Sequence, residues 1–120
     1  MVVDDDQTVH IVLKFILEKL GFQVFAALDS VQGLMMARQI IPDLIVLDIG
    51  LPAGGGFTVF SRIKQMRDTF QIPILIYSAT VAKEEIEKKI PEAGNILVLA
   101  KPSPPDQIMA AVTKLCAGSR

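Results

Sequence analysis

The chain has 120 residues, 51% of them hydrophobic, with a net charge of −1 and a mean hydropathy of +0.45. That is one ordinary domain with enough apolar side chains for a single core. The balanced charge speaks against nucleic-acid binding, which shows as a basic excess, and no apolar run approaches the roughly 20 residues that cross a bilayer.

"MVV" opens the chain as a short apolar strand. "DQTVHIVLKFILEKLG" follows, with Val9, Val12, Leu13, Ile16 and Leu20 spaced for one helical face. Asp6 or Thr8 suits its start and Gly21 its end. "FQVFAA" reads as a strand. "DSVQGLMMARQII" reads as a helix with Val31, Leu34, Met35 and Arg38 in register, capped by Asp29 and stopped by Pro42. "DLIVLD" is an apolar run closed by an acid, the pattern of a strand buried on both faces. "IGLPAGGG" is a loop, and "FTVFSRIKQM" a helix with Phe57, Phe60, Ile63 and Lys64 along one side. "PILIYS" is a strand, "KEEIEKKI" a short polar helix ended by Pro91, and "NILVLA" a strand. "PPDQIMAAVTKLC" is a helix with proline in its first turn, where a missing N–H costs nothing. Only the final "AGSR" reads as a loose end.

This is β-α five times over. Such alternation, with continuous apolar strands, predicts an α/β fold: a doubly wound parallel sheet with helices on both faces. Ligands of such sheets bind outside the carboxyl ends of the strands, where the strand order reverses. Asp4 and Asp5 follow the first apolar run and Asp48 the third. Ser78, Ala79 and Thr80 follow the fourth, and Lys101 and Pro102 the fifth. Three acids, a hydroxyl and one lysine are thus expected on one edge. None is informative alone; the set is.

Clustered carboxylates suit Mg²⁺, which takes octahedral oxygen ligands. Asp4, Asp5 and Asp48 carry three negative charges, which Mg²⁺ and Lys101 would balance. An aspartate is already ionised at neutral pH. It can attack a phosphoryl group without a base and hold it as an acyl phosphate. The protein then has only to position and neutralise charge.

With these pieces in place the sequence resembles the receiver (CheY-like) domains of bacterial two-component response regulators. The matching stretches are "VVDDD", "LIVLDIGLPAGGGF", "PILIYSAT" and "AKP", and the resemblance covers the whole chain, residues 1–120, as a single domain. It implies a flavodoxin-like (βα)5 fold with strand order 2-1-3-4-5, and Asp48 as the residue phosphorylated by a histidine kinase or phosphotransfer protein. It implies Asp5 as a direct Mg²⁺ ligand, Asp4 on a metal-bound water, and the Gly50 backbone carbonyl as a further ligand. Ser78, Lys101 and the Ala79 backbone would bind the phosphoryl oxygens, across a cis Lys101–Pro102 peptide. The output domain or target would meet the face of the fourth helix, fifth strand and last helix, with a homodimer left open. Neither nucleic acid nor membrane is expected as a direct partner. The chain would be an acceptor, not a turnover enzyme. Its single cysteine, Cys116, excludes an internal disulfide and fits a reducing cytoplasm.

Some positions depart from the family's pattern. The switch pair would be Ser78 with Val98, where receivers usually carry an aromatic residue. The usual acid before the loop glycine is Gly55, so that loop is expected to be mobile. Gly50 and Thr80 occupy the positions that flank an attacking water and set the dephosphorylation rate. The chain begins directly at its first strand, which suggests a domain excised from a longer protein. A phosphorylation-independent interaction module of the same fold is the alternative function. Enzymes of this architecture fit worse: an aspartate-nucleophile phosphatase would want an acid at Gly50, the P-loop motif is absent, and a flavin protein would not carry "DDD" after strand one. Elsewhere the plain readings suffice. Asp6 is a helix cap, His10 a solvated helix residue, Met35 and Met36 core, "KEEIEKK" a solvated face, and Phe57, Phe60 and Cys116 packing.

Overall fold

In the computed structural model, residues 1–79, 86, 88, 90 and 95–117 are described. The strands are β1 (Val2–Val3), β2 (Ala26–Ala27), β3 (Ile45–Leu47), β4 (Ile74–Ser78) and β5 (Ile96–Ala100). The helices are α1 (Gln7–Lys19), α2 (Ser30–Ile40), α3 (Gly55–Gln65) and α4 (Pro105–Ala117), with a 3-10 turn at Pro52–Gly54. Among the described residues the strands form one parallel sheet in the order β2-β1-β3-β4-β5. This is the flavodoxin-like order expected, and it reverses between β1 and β3.

The two faces follow from the period-2 geometry of a strand. Val3, Ile45, Leu47, Ile74 and Ile76 point to one side and join Ala37 of α2 and Val59, Phe60 and Ile63 of α3. Val2, Val46, Leu75 and Tyr77 point to the other and join Leu13, Ile16 and Leu17 of α1 and Ile108, Val112 and Leu115 of α4. Both faces are covered, so the strands read as unbroken apolar runs rather than alternating ones.

Local chemistry sets the element ends. The Asp6 carboxylate accepts the Thr8 N–H at 2.8 Å and starts α1; Asp29 accepts the Gln32 N–H at 2.7 Å and starts α2. Each satisfies a donor that the helix itself leaves open. α2 closes on Ile41, whose φ of 49° ends the helical run just ahead of Pro42.

Several expectations shift in register. The strand predicted over "FQVFAA" is only Ala26–Ala27, because its one neighbour β1 pairs through Val2 and Val3 alone. On α1, Val12 and Leu20 are exposed and Leu17 is buried instead. Val12 lies about 100° round the axis from Leu13, outside the arc that meets the sheet, and Leu20 is past the last helical turn. α2 differs most. Val31 and Met35 are largely exposed, and Gly33 and Ala37 are the residues buried against the sheet, with Leu34 and Met36 beside them. A Cβ on Gly33 would lie 2.8 Å from Val3 Cγ1, so small residues set the closest approach and the bulky ones turn outward. Met36 is core as expected; Met35 is not. The loop glycines Gly55 and Gly56 form the first turn of α3. Most of the predicted fourth helix, Thr80 and the end of the tail lie outside the described residues. Within that predicted helix, Ile86 and Ile90 are buried and joined by a 2.8 Å backbone hydrogen bond.

Candidate functional site

Parallel register brings the strand ends together. Val3 pairs with Leu47, so Asp4 and Asp48 leave adjacent strands side by side. The Asp48 N–H donates to Val3 O at 3.0 Å and the Asp4 N–H to Ala27 O at 3.1 Å. Ser78 pairs with Ala100, and the Lys101 N–H donates to Ser78 O at 3.1 Å, which carries the lysine back over the same edge. The Lys101–Pro102 peptide is cis.

Asp4 is 2% exposed and every polar group it has is engaged. Besides its N–H, Oδ1 accepts the Asp6 N–H at 2.9 Å, Oδ2 accepts Lys101 Nζ at 2.6 Å, and its carbonyl accepts His10 Nε2 at 2.7 Å. Asp48 is also buried. Its Oδ1 accepts the Gly50 N–H at 2.8 Å and its Oδ2 accepts Lys101 Nζ at 3.3 Å. Asp5 is exposed, and its carboxylate makes no hydrogen bond or ion pair among the described residues. One oxygen from each of Asp4, Asp5 and Asp48 lies within 4.8 Å of the others. Lys101 returns one of their three negative charges, so the cluster remains net acidic. An all-oxygen, doubly negative cluster is the donor set of a hard divalent cation.

Burial alone would lower the Lys101 pKa. The hydrogen bond and charge of Asp4, with Asp48 behind them, outweigh it and hold the ammonium above its ordinary 10.5. The Tyr77 ring centroid lies 5.7 Å from the same ammonium.

The structure therefore gathers Asp4, Asp5, Asp48 and Lys101 at one point. Ser78 and Ala79 end the neighbouring strand on the same edge. Val98 pairs with Ile76 and packs, half-buried, on the α2–α3 side of the sheet. His10 is not the solvated residue expected: it is half-buried on Asp4. Helical periodicity could not find this contact, because it depends on how α1 starts relative to β1. A cavity of about 600 Å³ lies at the opposite end of the strands, lined by Phe22, Phe25, Ile41, Asp43 and Cys116 among others. It holds none of the acid–lysine set, so charge chemistry rather than concavity marks the site.

The chain is 34% identical over 117 residues to the DNA-binding dual master transcriptional regulator RpaA of Synechocystis, covering 96% of this chain and 47% of that one. It is 28% identical over 114 residues to sporulation initiation phosphotransferase F of Bacillus subtilis, covering 95% and 90%. It spans about half the length of RpaA and, at 45%, of the Bacillus subtilis regulator PhoP. The CheY-like response regulator receiver domain protein of Methanospirillum hungatei shares the fold with a TM-score of 0.83, at 20% identity over 98% of this chain and 92% of that one. The sequence model of the response regulator receiver domain matches residues 1–113, and the chain belongs to that family.

Proposed function

We propose that this receiver accepts a phosphoryl group on the carboxylate of Asp48 from a histidine kinase or phosphotransfer protein and passes the signal on by changed contacts with an output domain or target. The observation that carries the reading is the Asp4–Lys101–Asp48 arrangement with Asp5, unpaired among the described residues, beside it. An Asp48 oxygen forms the new bond to phosphorus as the donor's nitrogen–phosphorus bond breaks. Its Oδ1 is held by the Gly50 N–H, so the carboxylate is oriented before the donor arrives.

Mg²⁺ is the cofactor this reading assigns to Asp5, Asp48 and the Gly50 carbonyl, with Asp4 reaching it through water; when bound, it neutralises charge on the phosphoryl oxygens. Among the described residues the Asp5 carboxylate makes no hydrogen bond or ion pair, which suits it to ligate directly. Lys101 takes one phosphoryl oxygen, and the Ser78 hydroxyl and Ala79 backbone take the others. The chain is then modified rather than turned over. Its place is the cytoplasm, in keeping with its one cysteine; among the described residues no helix is long and apolar enough to cross a membrane. The complete acid, hydroxyl and lysine set gives no support to a module working without phosphate.

Intact-mass spectrometry after treatment with acetyl phosphate and Mg²⁺ tests the reading. One added phosphoryl group is expected on the wild type and none on Asp48→Ala. Equal labelling of the two would place the nucleophile elsewhere.

A further inference from the structure

We propose that His10 is a positioning residue for the cation site, acting through the Asp4–Asp5 peptide; this rests on the metal-site reading above. The β1 ladder ends at the Asp4 N–H. The Asp4 carbonyl lies beyond it in a nearly fully buried residue, and a buried carbonyl needs a partner. His10 Nε2 supplies it at 2.7 Å. A carbonyl only accepts, so the ring carries its proton on Nε2. Nδ1 is buried without a partner among the described residues. Among the described residues the imidazole therefore has a single polar anchor, and that anchor is Asp4.

The consequence falls on Asp5. The Asp4 carbonyl and the Asp5 N–H share one rigid peptide plane. Fixing the carbonyl restrains the direction in which the chain enters Asp5. Asp4 is held at its side chain by Lys101 and by the Asp6 N–H. Among the described residues the Asp5 carboxylate has no such hold, so its backbone and its own rotamer set its place, within 4.8 Å of its two neighbours. His10 is itself fixed in the first turn of α1, its N–H donating to Asp6 O at 3.3 Å while Asp6 caps the helix. A rigid helix start is thus joined by one imidazole to the peptide that carries the exposed ligand.

Outer partners that orient metal ligands typically change affinity by 10- to 100-fold when removed. The test is Mg²⁺ titration of the folded protein, read by NMR, for wild type, Asp5→Asn, His10→Leu, His10→Gln and His10→Asn, with urea unfolding of each in the absence of Mg²⁺. Glutamine carries its amide N–H at the reach of histidine Nε2, and asparagine carries its own at the reach of Nδ1. His10→Leu and His10→Asn should weaken Mg²⁺ by about 10-fold, and His10→Gln should restore most of that loss. The phosphorylation rate from acetyl phosphate at saturating Mg²⁺ should stay near wild type in all three, because Asp48 keeps its own partners. Wild-type affinity in His10→Leu, or glutamine and asparagine behaving alike, overturns the role. If His10→Leu does not fold, the glutamine–asparagine pair alone decides it. A rate lowered at every Mg²⁺ concentration together with lost stability would mean a merely structural histidine and also overturns it. A wild type that binds no Mg²⁺ overturns the metal-site reading and this one with it, whereas intact Mg²⁺ binding that depends on Asp5 but not on His10 overturns this one alone.

Discussion

The ammonium of Lys101 is held by Asp4, at 2.6 Å, more closely than by Asp48, at 3.3 Å. The lysine is thus anchored to an acid that is not the proposed acceptor and is placed beside the one that is. Replacing it with methionine leaves two buried carboxylates without their cation. The metal-free Lys101→Met protein should lose about 2 kcal/mol, less than a fully buried pair because the lysine lies at the mouth of the site. Urea unfolding in the presence of a chelator measures this, and unchanged stability would show that the pair contributes nothing net.

The same contact sets a pH dependence. The folded-state pKa of Lys101 is raised above the ordinary 10.5. Its contribution to stability is therefore whole below pH 10.5 and drains away as pH rises from there through the higher folded value. Wild type should lose stability more steeply than Lys101→Met on the alkaline side of pH 10.5. Parallel curves would contradict the raised value.

Gly56 is the tightest of the described glycines and lies beside Asp48, the proposed acceptor. A Cβ there would lie 2.5 Å from the Asp48 carbonyl oxygen, Ile49 Cα and the Ile49 carbonyl oxygen, all of them backbone. Nothing flexible is available to yield. Gly56→Ala should destabilise the protein by about 3 kcal/mol and slow phosphorylation by displacing the Asp48 backbone. Gly54 is the control: its φ is +72° and no atom lies within 4 Å of an added Cβ. Asparagine tolerates that backbone, so Gly54→Asn should be nearly neutral in thermal unfolding. Similar losses at both glycines would mean that crowding at Asp48 is not the cause.

The sequence made the site legible and left the helix faces partly hidden, for different physical reasons. A strand buried on both faces is a run of apolar residues, and the first residue that breaks it is the one at the sheet edge; Asp4, Asp48 and Lys101 could be read that way. α2 could not. Its buried stripe is Gly33 and Ala37, which a search for bulky apolar residues passes over, and it picks out Val31 and Met35 on the outside instead. His10 was hidden too, because its partner is a backbone carbonyl, and main-chain acceptors leave no trace in residue types.

On the proposed reading, Val98 bears on how phosphorylation would be transmitted. It pairs with Ile76 across the β4–β5 ladder and packs against the α2–α3 side of the core. Valine is β-branched and stiff at χ1, so it cannot follow a displaced Ser78 by ring rotation. On binding a beryllofluoride phosphoryl mimic, NMR shift changes should cover Ser78, Ala79, β5 and the adjoining surface of α4, while the Val98 methyl rotamer stays fixed. A rotamer change at Val98, or shifts that avoid β5 and α4, would refute this route.

The lifetime of the phosphorylated state should be long. An acyl phosphate is lost when water attacks in line with the leaving carboxylate, and assistance requires a group that orients the water. The residue two places after Asp48 is Gly50, whose N–H is already given to Asp48 Oδ1 and which has no side chain to offer. Access of bulk water without orientation is the weaker effect. Gly50 does not have the positive φ found at Gly21 and Gly54, so an asparagine there costs no backbone strain and brings an amide to the water's path. Gly50→Asn should therefore speed the decay of phosphorylated protein by about 10-fold, less than the roughly 10²-fold or more contributed by a group that also transfers a proton. Thr80→Glu tests the second flanking position in the same assay. Decay is followed by intact mass after removal of acetyl phosphate. If neither substitution accelerates it, orientation of the water is not what limits the rate.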